Sequence, residues 1–288
     1  MDYETQYCFP GINSSCIKGM RSRYEYYIIY VCFSLLSAWT VFMNMLVIIS
    51  ISHFKKLHTP TNLIILSLAV ADLLIGLIVI PIEGIRLTEK CWYFGDTFCV
   101  LFTIIFGLVF SASFTNLILI AGDRYVAVCH PLQYPQKITT TKTVITICLS
   151  WGCCLTYNVT VVIYNGYSNM CYGECYVTFG FASLVTDMVM SFIFPCTLLI
   201  TLYLRIFYVV HQQVKVINSL MTGGKSLTEG VLRRKSESKA ALTLGIIVIV
   251  YLLCFVPFFI CSVSVNSDII LTVFAWVVYS NSGLNPLV

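Results

Sequence analysis

Four acidic positions interrupt otherwise apolar stretches of this 288-residue chain. Asp72 stands in LSLAVADLL, and Glu83 follows 11 residues later. Asp187 stands in SLVTDMVMSFIFP, eight residues before Pro195. Asp123 opens the triplet Asp123-Arg124-Tyr125 at the end of a long apolar run, with His130-Pro131-Leu132 just beyond. An ionised carboxylate inside hydrocarbon is costly and marks a functional position. The plainer roles are a polar contact between helices for Asp72, pairing with Arg86 for Glu83, and a hydrogen bond to Thr186 or a tyrosine for Asp187. Eleven residues are three turns of a regular helix, so Glu83 is expected to point the same way as Asp72, about 16 Å farther along. Ser113, 11 residues before Arg124, shares a helical face with it by the same count.

These residues need long helices to hold them. Hydrophobic residues make up 58% of the chain and charged ones 10%, well below the roughly 25% of a soluble domain. A membrane span needs about 20 mostly apolar residues. Seven such runs occur, at 26–51, 60–84, 96–126, 141–164, 178–209, 240–265 and 269–288. They are continuously apolar rather than alternating, which excludes barrel strands. The expected fold is an all-α membrane protein, a seven-transmembrane helix bundle. Residues 1–25 form a polar N-terminus with no apolar run and cleavage site of a signal peptide, and residues 26–288 form the bundle. Pro81 is expected to kink the second helix.

Lys and Arg orient the bundle. One side carries Lys18, Arg21, Arg23, Arg86 and Lys90, and the other carries the remaining 12 of the 17, from Lys55 to Lys239. The positive-inside rule puts the larger group in the cytoplasm and the N-terminus outside. A membrane-embedded chain of net charge +4 is no nucleic-acid surface. Asn13-Ser14-Ser15 is then an outer glycosylation acceptor, whereas Asn158-Val159-Thr160 lies within a span. Of 14 cysteines, Cys8, Cys16, Cys91, Cys99, Cys171 and Cys175 face the oxidising side, where disulfides persist, and spacing alone leaves their pairing open.

With these residues in place the chain resembles the rhodopsin-like G protein-coupled receptors along essentially its whole length. The matching residues run one set per span: Asn44, Asp72, Asp123-Arg124-Tyr125, Trp151, Pro195 with Tyr203, Phe255-Val256-Pro257, and Asn281-Ser282 with Asn285-Pro286. Within that family YCFPGINSSC, CWYFGDTFC, DRYVAVCHPLQY, ESKAALTLG, Trp276 and Tyr279 are similar to the trace amine-associated receptors. The resemblance implies disulfides Cys99–Cys175 and Cys16–Cys171. It also implies an activation switch of Asp123, Arg124, Tyr125, Tyr203, Phe255 and Glu237, with Arg124 held by Asp123 and Glu237. The partners it implies are a small amine, a heterotrimeric G protein and membrane lipid, at the plasma membrane.

The chain departs from the family pattern at Met43, where glycine is usual, and at Phe255, where tryptophan is usual. It also ends before the tyrosine expected after Asn285-Pro286, so a missing C-terminal end is expected. Most consequentially, Phe106 stands where amine receptors carry an aspartate, 18 residues before the arginine of the triplet. Some members of the group use an acid eight residues before the fifth-span proline instead, and Asp187 has that spacing. An ammonium entering an apolar pocket needs a carboxylate and benefits from aromatic faces. Asp187 is the expected anchor, with Phe106, Phe258, Phe259, Trp276 and Tyr279 as rings, and Glu83 near a second ammonium of a diamine. For the rings, ordinary helix packing is the plainer role.

No organic cofactor is expected. Asp72 with Ser113, Asn281 and Ser282 offers oxygens to a hard cation such as sodium. A receptor for a peptide or lipid is the competing reading, favoured by an acid-free pocket. A retinal-based sensor needs a lysine in the last span, and residues 269–288 contain none. No HExxH-like pairing or Ser-His dyad supports an enzyme, and His53, His58, His130 and His211 all fall at or beyond the cytoplasmic ends.

Overall fold

The helix ends are written in the sequence. Ser22 accepts from the Glu25 amide while the Glu25 carboxylate takes the Ser22 amide, a reciprocal cap that starts the first span, Arg23–His53. Thr59 caps the second, with Pro60 at the first helical position, where no amide hydrogen is needed. Thr139 caps the fourth, Thr140–Asn165. The third, Asp96–Cys129, follows Gly95, whose φ of 78° favours a residue without a Cβ.

In the computed structural model, residues 6–19, 21–166, 171–222, 245, 253, 255–256 and 268–287 are described. Five helices in this set have the length and hydropathy to cross a membrane. A sixth, Asp268–Leu284, ends in a short 3-10 turn over Asn285–Leu287. The expected run 240–265 lies outside the described residues except at Gly245, Leu253, Phe255 and Val256. The first helix begins at Arg23, before the expected residue 26, because its capping pair sits at 22 and 25.

Two spans are not regular. The second consists of Pro60–Leu74, a π-turn at Ile75–Val79 and Ile80–Glu89. The fifth repeats the device: Phe181–Met188, a π-turn at Val189–Ile193, then Phe194–Thr222. Each π-turn lies just before a proline, Pro81 or Pro195. A proline ring collides with the carbonyl four residues earlier in a regular helix, and one extra residue in the preceding turn moves that carbonyl away. The expected kink at Pro81 therefore takes the form of a bulge. The extra residue also turns Glu83 by about 100° from the straight-helix register with Asp72. Both acids are buried all the same, against different neighbours.

The third span is the central post, packed on the second, fourth and fifth. Its inner half joins Leu68, Phe114, Leu117 and Leu199 in one apolar cluster; its outer half joins Phe33, Val79, Val109 and Tyr279 in another. At Gly107 a Cβ would overlap the Asn158 amide oxygen, so glycine lets the third and fourth spans approach. Asn158 is thereby engaged inside the bundle, donating to Ser111 Oγ at 3.1 Å, in keeping with discounting its glycosylation triplet. Leu35, Phe42, Leu149, Leu204 and Phe207 are exposed, as a hydrocarbon solvent requires.

Candidate ligand and switch sites

The outer face is a stapled cap. Cys16–Cys171 and Cys99–Cys175 are bonded, with Cα separations of 5.1 and 5.8 Å, and Cys8 pairs with Cys91 at 5.7 Å. All three fall within the usual range for a disulfide. Backbone bonds knit the same segments: the Cys16 amide to the Tyr172 carbonyl, the Tyr172 amide to Ser14 and the Trp92 amide to Gly173. Lys18 pairs with Glu89, and that hydrogen bond raises the ammonium above its ordinary pKa. Asn13 stays exposed on this cap, where a glycan can be accommodated.

Beneath the cap an aromatic ladder descends the third span. Phe98, Phe102, Phe106 and Phe110 recur every four residues on one helical face, with successive centroids 6.3, 6.2 and 4.8 Å apart. Phe110 then meets Tyr279 at 5.9 Å and Phe255 at 6.4 Å. The Tyr279 hydroxyl donates to Glu83 Oε2 at 3.3 Å, and Arg86 Nη2 reaches the same oxygen at 2.8 Å. Across the bundle, Tyr157 donates to Asp187 Oδ1 at 2.6 Å. Thr186 does not hold Asp187; its hydroxyl donates to the Ala182 carbonyl. Asp187 Oδ2 takes no hydrogen bond from any described residue.

Asp72 is fully buried at mid-depth. Ser113 donates to its Oδ1 at 2.9 Å and Asn285 to its Oδ2 at 2.7 Å, and Ser282 is buried close by. Asn281 is buried nearby in sequence, but its amide nitrogen has no partner among the described residues. Asn44 ties in by donating to the Thr40 and Ser282 carbonyls, both at 2.9 Å.

At the inner end, Asp123 binds its neighbour Arg124 through Nε at 3.0 Å. Thr61 donates to the same Asp123 oxygen at 2.8 Å, and Tyr134 donates to the other at 2.9 Å. Burial pushes the Tyr134 phenol up, and the Asp123 charge adds to this. Tyr125 packs edge-on against the His130 ring. Tyr203 lies between the inner apolar clusters, close to Gly245.

The rhodopsin-family seven-transmembrane receptor model matches residues 43–288. Trace amine-associated receptor 13c of Danio rerio is 39% identical over 99% of this chain and 87% of its own length. Trace amine-associated receptor 9 of Rattus norvegicus is 37% identical over 98% and 88%, and receptor 6 of Homo sapiens 35% identical over 98% and 87%. The chain belongs to the rhodopsin-like receptors, in their trace amine-associated group.

In this receptor several expected residues come together. Phe106, Phe255 and Tyr279 share the ladder, Glu83 adjoins Tyr279, and Ser113 reaches Asp72 with Ser282 buried close by. Others do not. Trp276 is 38% exposed, one residue round from the buried Ala275, and stands outside the ladder. Glu83 is already engaged by Arg86 and Tyr279, so a second ligand ammonium would compete with a buried ion pair. Phe258, Phe259 and Glu237 lie outside the described residues. Sequence reasoning missed Asn285 on Asp72, and Thr61 and Tyr134 on Asp123. Asn285 stands in the sequence only as part of a family motif, and its offset from Asn281 is one helical turn. Thr61 and Tyr134 gave no signal, because one lies at the start of the second span and the other beyond the end of the third, and only the fold brings them to Asp123.

Proposed function

We propose that this receptor binds a small amine, holds its ammonium on Asp187, and signals through a heterotrimeric G protein from the plasma membrane with its N-terminus outside. The observation that carries the reading is the half-open carboxylate. Tyr157 fixes Asp187 through Oδ1, which leaves Oδ2 as the acceptor for a ligand cation. Phe106 removes the alternative anchor on the third span and offers a ring face instead. The names of the relatives point to the same ligand class.

The ligand acts through its differential affinity for closed and open states. In the closed state Asp123 and Thr61 hold Arg124 sideways, and Glu237 is the expected second acid. Opening releases Arg124 into a cytoplasmic cleft for the G protein. Asp72, Ser113 and Ser282 have the hard oxygens that a sodium ion takes, and Asn285 supplies a further side-chain carbonyl. A bound cation would neutralise Asp72 and favour the closed packing.

A cyclic-AMP assay of the full-length receptor at matched surface expression tests the anchor. Removing one side of a desolvated charge pair costs roughly 2–5 kcal/mol, so Asp187→Ala should weaken amine potency by at least about thirtyfold. Asp187→Glu should retain part of it. An unchanged amine response in Asp187→Ala would leave the non-amine receptor as the better reading.

A further inference from the structure

Glu83 has the surroundings of an ammonium seat. Such a seat needs a carboxylate held out of water with aromatic faces beside it. Glu83 is buried just past the π-turn of the second span. The Tyr279 hydroxyl donates to its Oε2 at 3.3 Å, and the Tyr279 ring stands 5.9 Å from Phe110 and 6.4 Å from Phe33. Every hydrogen bond that Glu83 accepts from the described residues falls on Oε2, and Oε1 takes none from them.

The seat is filled by a cation of the chain itself. Arg86 Nη2 binds Glu83 Oε2 at 2.8 Å. The two residues stand three apart on one helix, so their side chains are neighbours without help from another element. The guanidinium is also steadied from above. Its Nη1 reaches the Cys175 carbonyl at 3.4 Å, and it lies 5.7 Å over the Tyr176 ring. The Cys99–Cys175 disulfide fixes that stretch of loop. Arg86, Cys175 and Tyr176 line the outermost cavity, of about 580 Å³, and Glu83 does not. The guanidinium thus stands between this cavity and the carboxylate.

We propose that Arg86 is a tethered cation that occupies an ammonium seat on Glu83, so that a diamine gains nothing there over a monoamine. The filled seat stands on the ion pair; the consequence for ligands rests on the proposed amine anchor at Asp187. A ligand ammonium reaching Glu83 meets a neutral pair. To bind it must displace a cation joined to the same helix, and a tethered partner outcompetes a free one through its effective concentration. With the charge of Arg86 removed, Glu83 is left without its ion-pair partner and takes an ammonium from the cavity side. Arg86 is in this sense a specificity-determining residue.

The test counts seats. Labelled pentylamine is titrated onto full-length receptor in lipid nanodiscs. The parent should bind one molecule and Asp187→Ala none. Arg86→Met should bind two, and so should Arg86→Gln, a second variant that keeps a polar head and loses the charge. Asp187→Ala/Arg86→Met should bind one, and adding Glu83→Gln should remove it. Arg86→Lys keeps a cation in reach and should bind as the parent does. No gain in either folded Arg86 variant, or a gain that survives Glu83→Gln, overturns the seat. Undiminished binding in Asp187→Ala fails the Asp187 reading alone, because the gain on removing Arg86 is read against its own background. The consequence for ligands is tested in the parent, without any variant. In a cyclic-AMP assay 1,5-diaminopentane and pentylamine should be of similar potency. A hydrogen bond to a charged group is worth about tenfold or more in affinity, so a diamine preferred by that factor overturns the exclusion. Silence toward both amines fails the Asp187 reading and the ligand consequence with it, and the seat count still decides Glu83.

Discussion

The two ends of this receptor are held by opposite means. Outside, three disulfides tie the N-terminus, the first two outer loops and the top of the third span into one cap. Inside, the third span meets the start of the second and the loop beyond it through hydrogen bonds on a single carboxylate, Asp123. Covalent ties fix geometry and do not exchange partners on the timescale of signalling. Hydrogen bonds between charged and hydroxyl groups can be traded one at a time. A receptor that presents a constant pocket at one end and a changeable face at the other needs this asymmetry.

Breaking the cap should produce the largest effect. Loss of a native disulfide costs roughly 2–5 kcal/mol. Cys99→Ser removes the staple from the span on which the second, fourth and fifth pack, beside the buried cluster of Trp92 and Phe102. It should lower the melting temperature of the purified receptor and sharply reduce surface expression. Cys8→Ser frees only the N-terminal end of the cap, so its losses should be smaller. If the two variants behaved alike, the cap would not be graded around the third span.

How far the sequence revealed this plan depends on range. Helix starts were legible to within a few residues because hydropathy is local; the fifth helix runs on to Thr222, past the expected 209, because an apolar run marks the membrane boundary and not the helix end. The π-turn before Pro81 was legible as a kink but not as a bulge, since a proline constrains its preceding turn without saying how it relaxes, and the one before Pro195 was not read at all. The two disulfides drawn from the family resemblance are present. Cys8–Cys91 could not be chosen from spacing, because chain folding over 83 residues decides it. Among site residues, Asp72 and Asp187 announced themselves by charge in apolar runs. Their partners Asn285 and Tyr157 did not, because a lone amide or phenol in a helix is unremarkable until another helix is laid beside it. Trp276 was named by type alone, and its place outside the aromatic ladder follows from its helical phase, one residue round from Ala275.

A smaller effect is expected from loosening the inner end. Tyr134→Phe removes one of the bonds on Asp123 and leaves Thr61 and Arg124 in place. One hydrogen bond is worth about 1 kcal/mol net, or roughly a fivefold shift between closed and open states. Ligand-independent signalling should rise by no more than that. Glu237→Ala, which removes the expected second acid from Arg124, should raise it further. Basal signalling equal to the parent in both, at matched surface expression, would mean that the closed state is held elsewhere.

An effect no larger than that of Tyr134→Phe should come from the middle of the molecule, where neither disulfides nor the inner bonds reach. Asp72 receives Ser113 on one oxygen and Asn285 on the other, so it links the third span to the last. Asp72→Asn keeps the shape and one acceptor oxygen, and the fold should survive. What it removes is the negative charge that a sodium ion requires. In the parent, replacing sodium by an organic cation should raise agonist affinity, by about fivefold at the lower end of ordinary coupling between sites. In Asp72→Asn that difference should vanish, because the variant has nothing left for sodium to neutralise. The agonist itself should still bind, since Asp187 is untouched. A sodium effect that persists in Asp72→Asn would move the cation site elsewhere. Asp72 would then be a purely structural link between the stapled outer half and the exchangeable inner half.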